Sequence, residues 1–267
     1  MEIITKDNFE LKPNTFVLVN KPINWTSFDV VGYLRKMFRQ KYPDLKKIKV
    51  GHAGTLDPFA TGLLIVAIGR EATREIENFK NLNKTYEAIF KLGEISNTGD
   101  NTGNIQPYTL KQNIFKKLLF IIYCLFKKPD HWIPAFAGMT KELPYSIQIE
   151  KILKRFLGKQ SQIPPMFSAK KINGQRLYKL ARQGKKVKRK ANQIEIFSLT
   201  LLEYNYPFLK VEVVCSPGTY IRTLGEDIGK KLQIGAFCSE LKRTKIGEYS
   251  LTNAINLNHE IASKNRY

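Results

Sequence analysis

Histidine and cysteine are scarce in this chain, three of each in 267 residues, and the scarcity excludes whole classes of chemistry. Cys124, Cys215 and Cys238 lie far apart, are odd in number and form no C-x-x-C pair. That argues against a disulfide scaffold and a thiolate zinc site, and fits a reducing compartment. His52, His131 and His259 have no metal-ligand neighbour at i+3 or i+4, and neither H-E-x-x-H nor the H-x-E and P-C-x-x-C pair of zinc deaminases occurs. G-x-x-x-x-G-K-[ST] and G-x-G-x-x-G are missing too, so neither nucleoside triphosphates nor dinucleotides are supported. No cofactor and no metal are expected. Long apolar runs are also lacking: the greasiest, Leu118 to Phe126 (LLFIIYCLF), has nine residues, where a spanning helix needs about 20. The opening stretch MEIITKDNFELKP lacks the apolar core of a signal peptide. A cytoplasmic protein with no membrane partner is expected.

Negative charge is the other shortage. Asp plus Glu number 23 against 44 Lys plus Arg, a formal net charge of +21 with a pI near 9.8. Such an excess calls for a polyanionic partner. It is concentrated between Lys179 and Lys190 (KLARQGKKVKRK), where seven of twelve residues are basic. In isolation such a run is a solvated face. In a chain this basic, Lys185, Lys186 and Lys188 become candidate phosphate contacts that displace counterions from a nucleic acid backbone.

What remains is ordinary for a folded protein, with 43% apolar residues. Phe16 to Val19 is a short buried strand ending at Lys21-Pro22. Thr26 and Asp29 form a capping box ahead of a helix whose apolar stripe is Phe28, Val31, Leu34 and Phe38. Tyr86, Ala88, Phe90 and Leu92 alternate as on a strand, and strands recur at Gln193 to Glu203 and Phe208 to Val214. Ile221, Leu224, Ile228 and Leu232 mark a helix just after Ser216-Pro217-Gly218. Helices and strands mix without a βαβ rhythm, so the expected class is α+β. The segment Tyr108 to Leu143 breaks the pattern and reads as an insertion, while Gly93 to Gly103 (GEISNTGDNTG) reads as a surface turn.

The chemistry-bearing candidate is Gly51 to Gly62, GHAGTLDPFATG. Asp57 before Pro58 is either a turn former or a carboxylate held rigidly ahead of the buried run Leu63 to Ile68. An ionised Asp serves as a nucleophile without an external base. Burial opposes its charge and a cation restores it. Arg222, in CSPGTYIRT, is either that cation or a surface residue.

VNKP (Val19 to Pro22), TSFDVV (Thr26 to Val31), GHAGTLDPFATGLL and KTYEAIFKLG, followed by QIPPMFSAKKINGQRLYKLARQG, CSPGTYIRTLGEDIG and LKRTKIG, resemble the bacterial tRNA pseudouridine synthase B family in family order. The resemblance spans about Phe16 to Pro107 and Pro144 to Tyr249. It implies a pseudouridine synthase fold, a mixed and largely antiparallel sheet with flanking helices and a central cleft, and isomerisation of uridine 55 in the T-loop of tRNA. Asp57 matches the nucleophile, Tyr86 the tyrosine that stacks on the flipped base, and Arg222 the partner of the catalytic Asp. Tyr220 and Leu241 match pocket residues, and His52 the histidine that inserts into the RNA loop. Lys21-Pro22 matches a motif packed near the cleft. The partner implied is tRNA, through its T-loop and stem, bound by a monomer.

Three departures accompany the match. The insertion has no family counterpart, and its HWIPAFAGMT resembles peptides carried by mobile palindromic elements. Phe167 stands where tyrosine is common. The chain ends twenty residues after Gly247, where relatives continue into a small RNA-binding domain. Residues 1–250 are therefore expected to form the catalytic domain, interrupted at 108–143, with a tail over 251–267. The competing readings are a tRNA-binding or tRNA-folding protein without turnover, an RNA-guided synthase, which shares G-H-x-G-T-L-D-P but carries a larger accessory domain, and a membrane-surface protein using LLFIIYCLF.

Overall fold

The computed structural model describes residues 1–45, 47–109, 146–172 and 174–257. Most of the 108–143 insertion, with Cys124 and His131, and His259 in the tail lie outside the described residues. In chain order the strands are β1 (Ile3–Ile4), β2 (Thr15–Lys21), β3 (Val50–His52), β4 (Thr61–Ile68), β5 (Lys84–Leu92), β6 (Glu94–Ser96), β7 (Ile105–Pro107), β8 (Gly158–Gln162), β9 (Lys171–Ile172), β10 (Gln175–Arg176), β11 (Asn192–Asn205), β12 (Phe208–Cys215), β13 (Ala236–Ile246), β14 (Tyr249–Ser250) and β15 (Ile255–Asn256). The helices are α1 (Ser27–Lys41), α2 (Arg70–Arg74), α3 (Ile76–Lys80), α4 (Ser146–Lys154), α5 (Leu177–Arg182) and α6 (Ile221–Lys231).

Eleven strands form one sheet of order β1-β2-β4-β13-β5-β12-β11-β8, with β3 on β4, β14 on β13 and β15 on β2. Pairing is antiparallel except for β1 and β15 on β2 and for β4 on β13. The expected mixed, largely antiparallel α+β architecture is what forms. The tail expected from residue 251 begins inside this sheet, since β15 pairs with β2 and buries Ile255.

The sheet has two halves. In the first, β2 and β4 are buried on both faces, which is why FVLV and LLIVAI are continuous apolar runs rather than alternating ones. One face takes Val30, Val31, Leu34 and Phe38 of α1, and the other takes Ala72 and Phe79 of α2 and α3. The capping box forms as expected, with Thr26 accepting from the Asp29 amide and Asp29 from the Thr26 amide, an arrangement contributing about 1 kcal/mol. Phe28 corrects the expected stripe: it is 62% exposed, and Ser27 and Val30 take the buried places beside Val31.

In the second half β5 alternates, burying Lys84, Tyr86, Ala88, Phe90 and Leu92 against Ile221, Leu224 and Ile228 of α6 and Ile149 and Leu153 of α4. Gly225 lets α6 sit this close, because a Cβ there would stand 2.5 Å from the Phe90 ring. The halves join through only two register pairs, Lys242 with Thr61 and Arg243 with Gly62. Gly62, at φ +105°, is required at that seam, where a Cβ would lie 2.3 Å from the Arg243 carbonyl oxygen.

Candidate active site

The loop between β3 and β4 presents Asp57 at the seam, and its backbone is pinned from several directions. Ser27 Oγ, at the start of α1, accepts from the Leu56 amide at 2.9 Å, and the Asn24 amide donates to the Pro58 carbonyl at 2.8 Å. Lys21, fully buried, donates its ammonium to the carbonyls of Trp25 (2.6 Å), Pro22 (2.8 Å) and Pro58 (3.3 Å). Burial pushes the Lys21 amine down to about 8, and the Asp57 charge opposes that fall. From β13, Arg243 Nε donates to the Leu63 carbonyl at 2.7 Å and its guanidinium to the Gly54 carbonyl at 3.1 Å. Leu56, Phe59 and Ala60 are buried around the acid. A polar loop with its backbone groups spoken for in this way holds one side chain in one place.

Arg222, on the first turn of α6, meets that side chain from the other half. Its Nε lies 2.9 Å from Asp57 Oδ2, and its guanidinium also pairs with Asp100 Oδ2 at 3.2 Å. Nη1 also donates to the Thr98 carbonyl (2.8 Å) and Nη2 to the Phe167 carbonyl (2.7 Å). Arg222 is thus a buried fork with a partner for each of its nitrogens rather than a surface residue. Phe167 contributes its backbone, so the missing tyrosine hydroxyl does not touch this bond. Burial pushes the Asp57 carboxyl up from the ordinary carboxylate range, and the Arg222 guanidinium holds it back. A third of the Asp57 side chain stays open to solvent, against 4% of Arg222, so the acid is the group left to react.

Asp100 was not among the residues singled out in the sequence. It sits between β6 and β7, in the stretch expected to be a surface turn, yet it is buried. Its Oδ1 accepts from Thr98 Oγ1 (2.7 Å), the Thr102 amide (3.0 Å) and Thr102 Oγ1 (2.5 Å). The signal was the T-G-D-N-T order, an acid flanked by short hydroxyl donors, which suits a buried carboxylate better than a hydrated one. Arg243 was missed likewise, as one more cation in LKRTKIG.

Tyr86, on β5, is buried in the apolar cluster that also holds Leu56, Phe59 and Leu241. Burial raises its hydroxyl pKa, with Arg243, its register partner on β13, opposing the rise. Tyr220 caps α6, its amide donating to Gln162 Oε1 at 2.7 Å. Asp57, Arg222, Tyr86, Tyr220 and Leu241 therefore converge. His52 does not: it stands on β3, its ring edge-on to Phe28 with centroids 5.5 Å apart. Burial and the nearby Arg243 push its imidazole down to about 4, so the ring is neutral at pH 7. Lys185, Lys186 and Lys188 are exposed on the irregular segment after α5, which is moored where Arg189 donates to the Pro164 carbonyl at 2.8 Å. Among the described residues no group of three or more His, Cys, Asp or Glu is placed to hold a metal, and no helix is long and apolar enough to cross a membrane.

A fixed carboxylate, a guanidinium and walls of tyrosine and leucine suit a flat ring whose reacting atom lies beside the acid. Comparison with known proteins points the same way. The family described as "TruB family pseudouridylate synthase (N terminal domain)" matches residues 35–120 and 137–221. The tRNA pseudouridine synthase B of Parabacteroides distasonis is 44% identical over 232 residues, 87% of this chain and 85% of that protein. That of Clostridium tetani is 40% identical over 244 residues, 91% of this chain and 71% of that protein. Among solved structures, "Crystal Structure of a Cbf5-Nop10-Gar1 Complex" superposes with a TM-score of 0.59 at 25% identity, over 91% of this chain but 52% of that one. "Structure of H/ACA RNP bound to a substrate RNA containing 2'-deoxyuridine", at 22% identity and a TM-score of 0.57, shares the fold.

Proposed function

Because the chain belongs to the TruB family of pseudouridylate synthases, we propose that its cleft isomerises uridine 55 in the T-loop of tRNA, with Asp57 as the nucleophile. Pseudouridine synthesis is the activity of the family. The target position, the flipped base and the residue roles are our reading, and the observation that carries it is the 2.9 Å pairing of the partly open Asp57 carboxylate with buried Arg222.

The reaction breaks the N1–C1′ bond, turns the base and joins C1′ to C5. The hydrogen on C5 leaves to water and N1 ends protonated, so atoms and electrons balance within the substrate. A stacked nucleotide hides the bond, so the uridine leaves its stack to reach the acid. Asp57 attacks as the carboxylate, at C1′ or at the base, and needs no base to activate it. Arg222 stabilises that anion and fixes its direction, while Asp100 and the two carbonyls keep the guanidinium from following the substrate. Tyr86 stacks on the extruded ring, with Leu241 and Tyr220 closing the pocket. His52 occupies the space the base vacates, where a neutral imidazole avoids the desolvation cost of a charge. Lys185, Lys186 and Lys188 follow the phosphate backbone, and the setting is cytoplasmic.

Tritium release from tRNA labelled at uridine C5 tests this directly, since forming the C1′–C5 bond displaces that hydrogen. We expect one equivalent per tRNA, abolished when uridine 55 is replaced by cytidine. Release that survives the replacement would move the target elsewhere, and no release would reduce the protein to a tRNA binder.

A further inference from the structure

The outer face of α1 carries residues the core does not use. Phe28, Gly32, Arg35 and Arg39 follow at three- and four-residue steps and Lys36 lies four residues after Gly32, so they share one face, turned away from the buried Val30, Val31, Leu34 and Phe38. Phe28 is 62% exposed and meets His52 in a T-shaped contact. Its neighbour Ser27 holds the Asp57 loop through the Leu56 amide, so the exposed ring stands one residue from a side chain that pins that loop. Farther along, Gly32 has nothing within 4 Å of where its Cβ would be, opening a shallow groove lined by Arg35, Lys36, Arg39 and Gln40. The only acid of α1, Asp29, is taken by the N-cap. Among the described residues neither Arg35 nor Arg39 has a carboxylate partner, and Arg35 reaches the Val50 carbonyl at 3.4 Å, on the strand that carries His52.

We propose that this face is a second RNA contact: Phe28 takes the face of an unpaired base beside the space filled by His52, and Arg35 and Arg39 take phosphates of the strand running along α1. The assignment rests on the tRNA reading above. An exposed aromatic followed by a cationic track is how a single strand is held, the ring accepting any base and the cations following the backbone. A bilayer would call for several apolar residues on the stripe, and Phe28 is the only large one. His52 and Phe28 then act as one ridge of two uncharged rings, with the exposed part of the Phe28 ring open to the base.

Anisotropy of a fluorescein-labelled T-arm stem-loop, titrated at several salt concentrations, tests the proposal. F28A should weaken binding about tenfold and F28W should restore it, both keeping the wild-type melting temperature because the ring lies outside the core. R35A/R39A should lower the slope of log K against log salt by about 1.5. Wild-type affinity in F28A together with a wild-type slope in R35A/R39A would overturn the proposal. So would binding to phosphatidylglycerol vesicles that R35A/R39A abolishes while RNA binding stays intact. A wild-type protein that binds the stem-loop yet releases no tritium would overturn the isomerase reading alone, leaving these comparisons to decide this one.

Discussion

The cations of the cleft and those of the Lys185 to Lys190 segment belong to one basic chain and do opposite work. Lys21, Arg222 and Arg243 are buried, and their donors go to carbonyls and to Asp57 and Asp100. Lys185, Lys186 and Lys188 face water. A buried cation is costly unless its donors are satisfied, and once satisfied it fixes geometry. An exposed one costs little, is screened by salt and acts at the range of a Debye length. On the proposed reading the buried set governs where Asp57 points, and the exposed set how often an RNA arrives.

The sharpest way to break the comparison is to remove the anion the buried set serves. D57N should lower single-turnover tritium release by about 10⁴-fold or more while tRNA affinity stays within about twofold; appreciable turnover would strip Asp57 of its role. R222M comes next, expected to cost about 10²–10³-fold and, because two carboxylates lose their cation, about 3 kcal/mol of stability by denaturant unfolding. With that cation gone the Asp57 carboxyl titrates higher, so the acid limb of the rate profile should move to higher pH. An unmoved limb would show that Arg222 acts on something other than this charge.

A smaller effect concerns stability. The His52 imidazole falls from an ordinary 6.5 to about 4 on folding. Between those values the unfolded chain binds the extra proton, so stability drops as pH falls from 6.5 toward 4 and levels off below. H52Q should unfold with a visibly flatter pH dependence across that window, and an identical slope would mean that His52 is open to water. The smallest effect on chemistry belongs to the exposed set. K185A/K186A/K188A should reduce the salt slope of tRNA binding by about 2, with the rate at saturating enzyme falling far less than affinity. An unchanged slope would make the run a solvated face.

Most of the scaffold was legible because its signals are local. Alternation announced β5, continuous apolar runs announced β2 and β4, and the Thr26–Asp29 box marked the start of α1. Phe28 was misplaced because periodicity puts residues on a stripe without saying how wide the buried part is. The grouping of Asp57, Tyr86 and Arg222 came from family resemblance; the residues alone left Asp57 and Arg222 each between a functional and an ordinary structural role. Asp100 and Arg243 escaped because no local pattern names a distant partner: T-G-D-N-T marks a buried acid without its cation, and nothing in LKRTKIG marks a cation bound to carbonyls. Their partners lie 122 and 189 residues away, at Arg222 and Gly54, and only the folded sheet brings them together.

The position of β13 has a consequence for the order of events during synthesis. β4 and β5 are separated by only residues 69–83, yet they are not neighbours: β13, residues 236–246, lies between them. On the ribosome the Asp57 loop and Tyr86 emerge well before the strand that sets their spacing, which follows β5 by more than 140 residues. Such long-range pairing folds slowly, and a nascent chain that already displays its basic segment can hold RNA before it can modify any. The two halves of the site therefore reach their spacing only when β13 inserts and Gly62 meets Arg243.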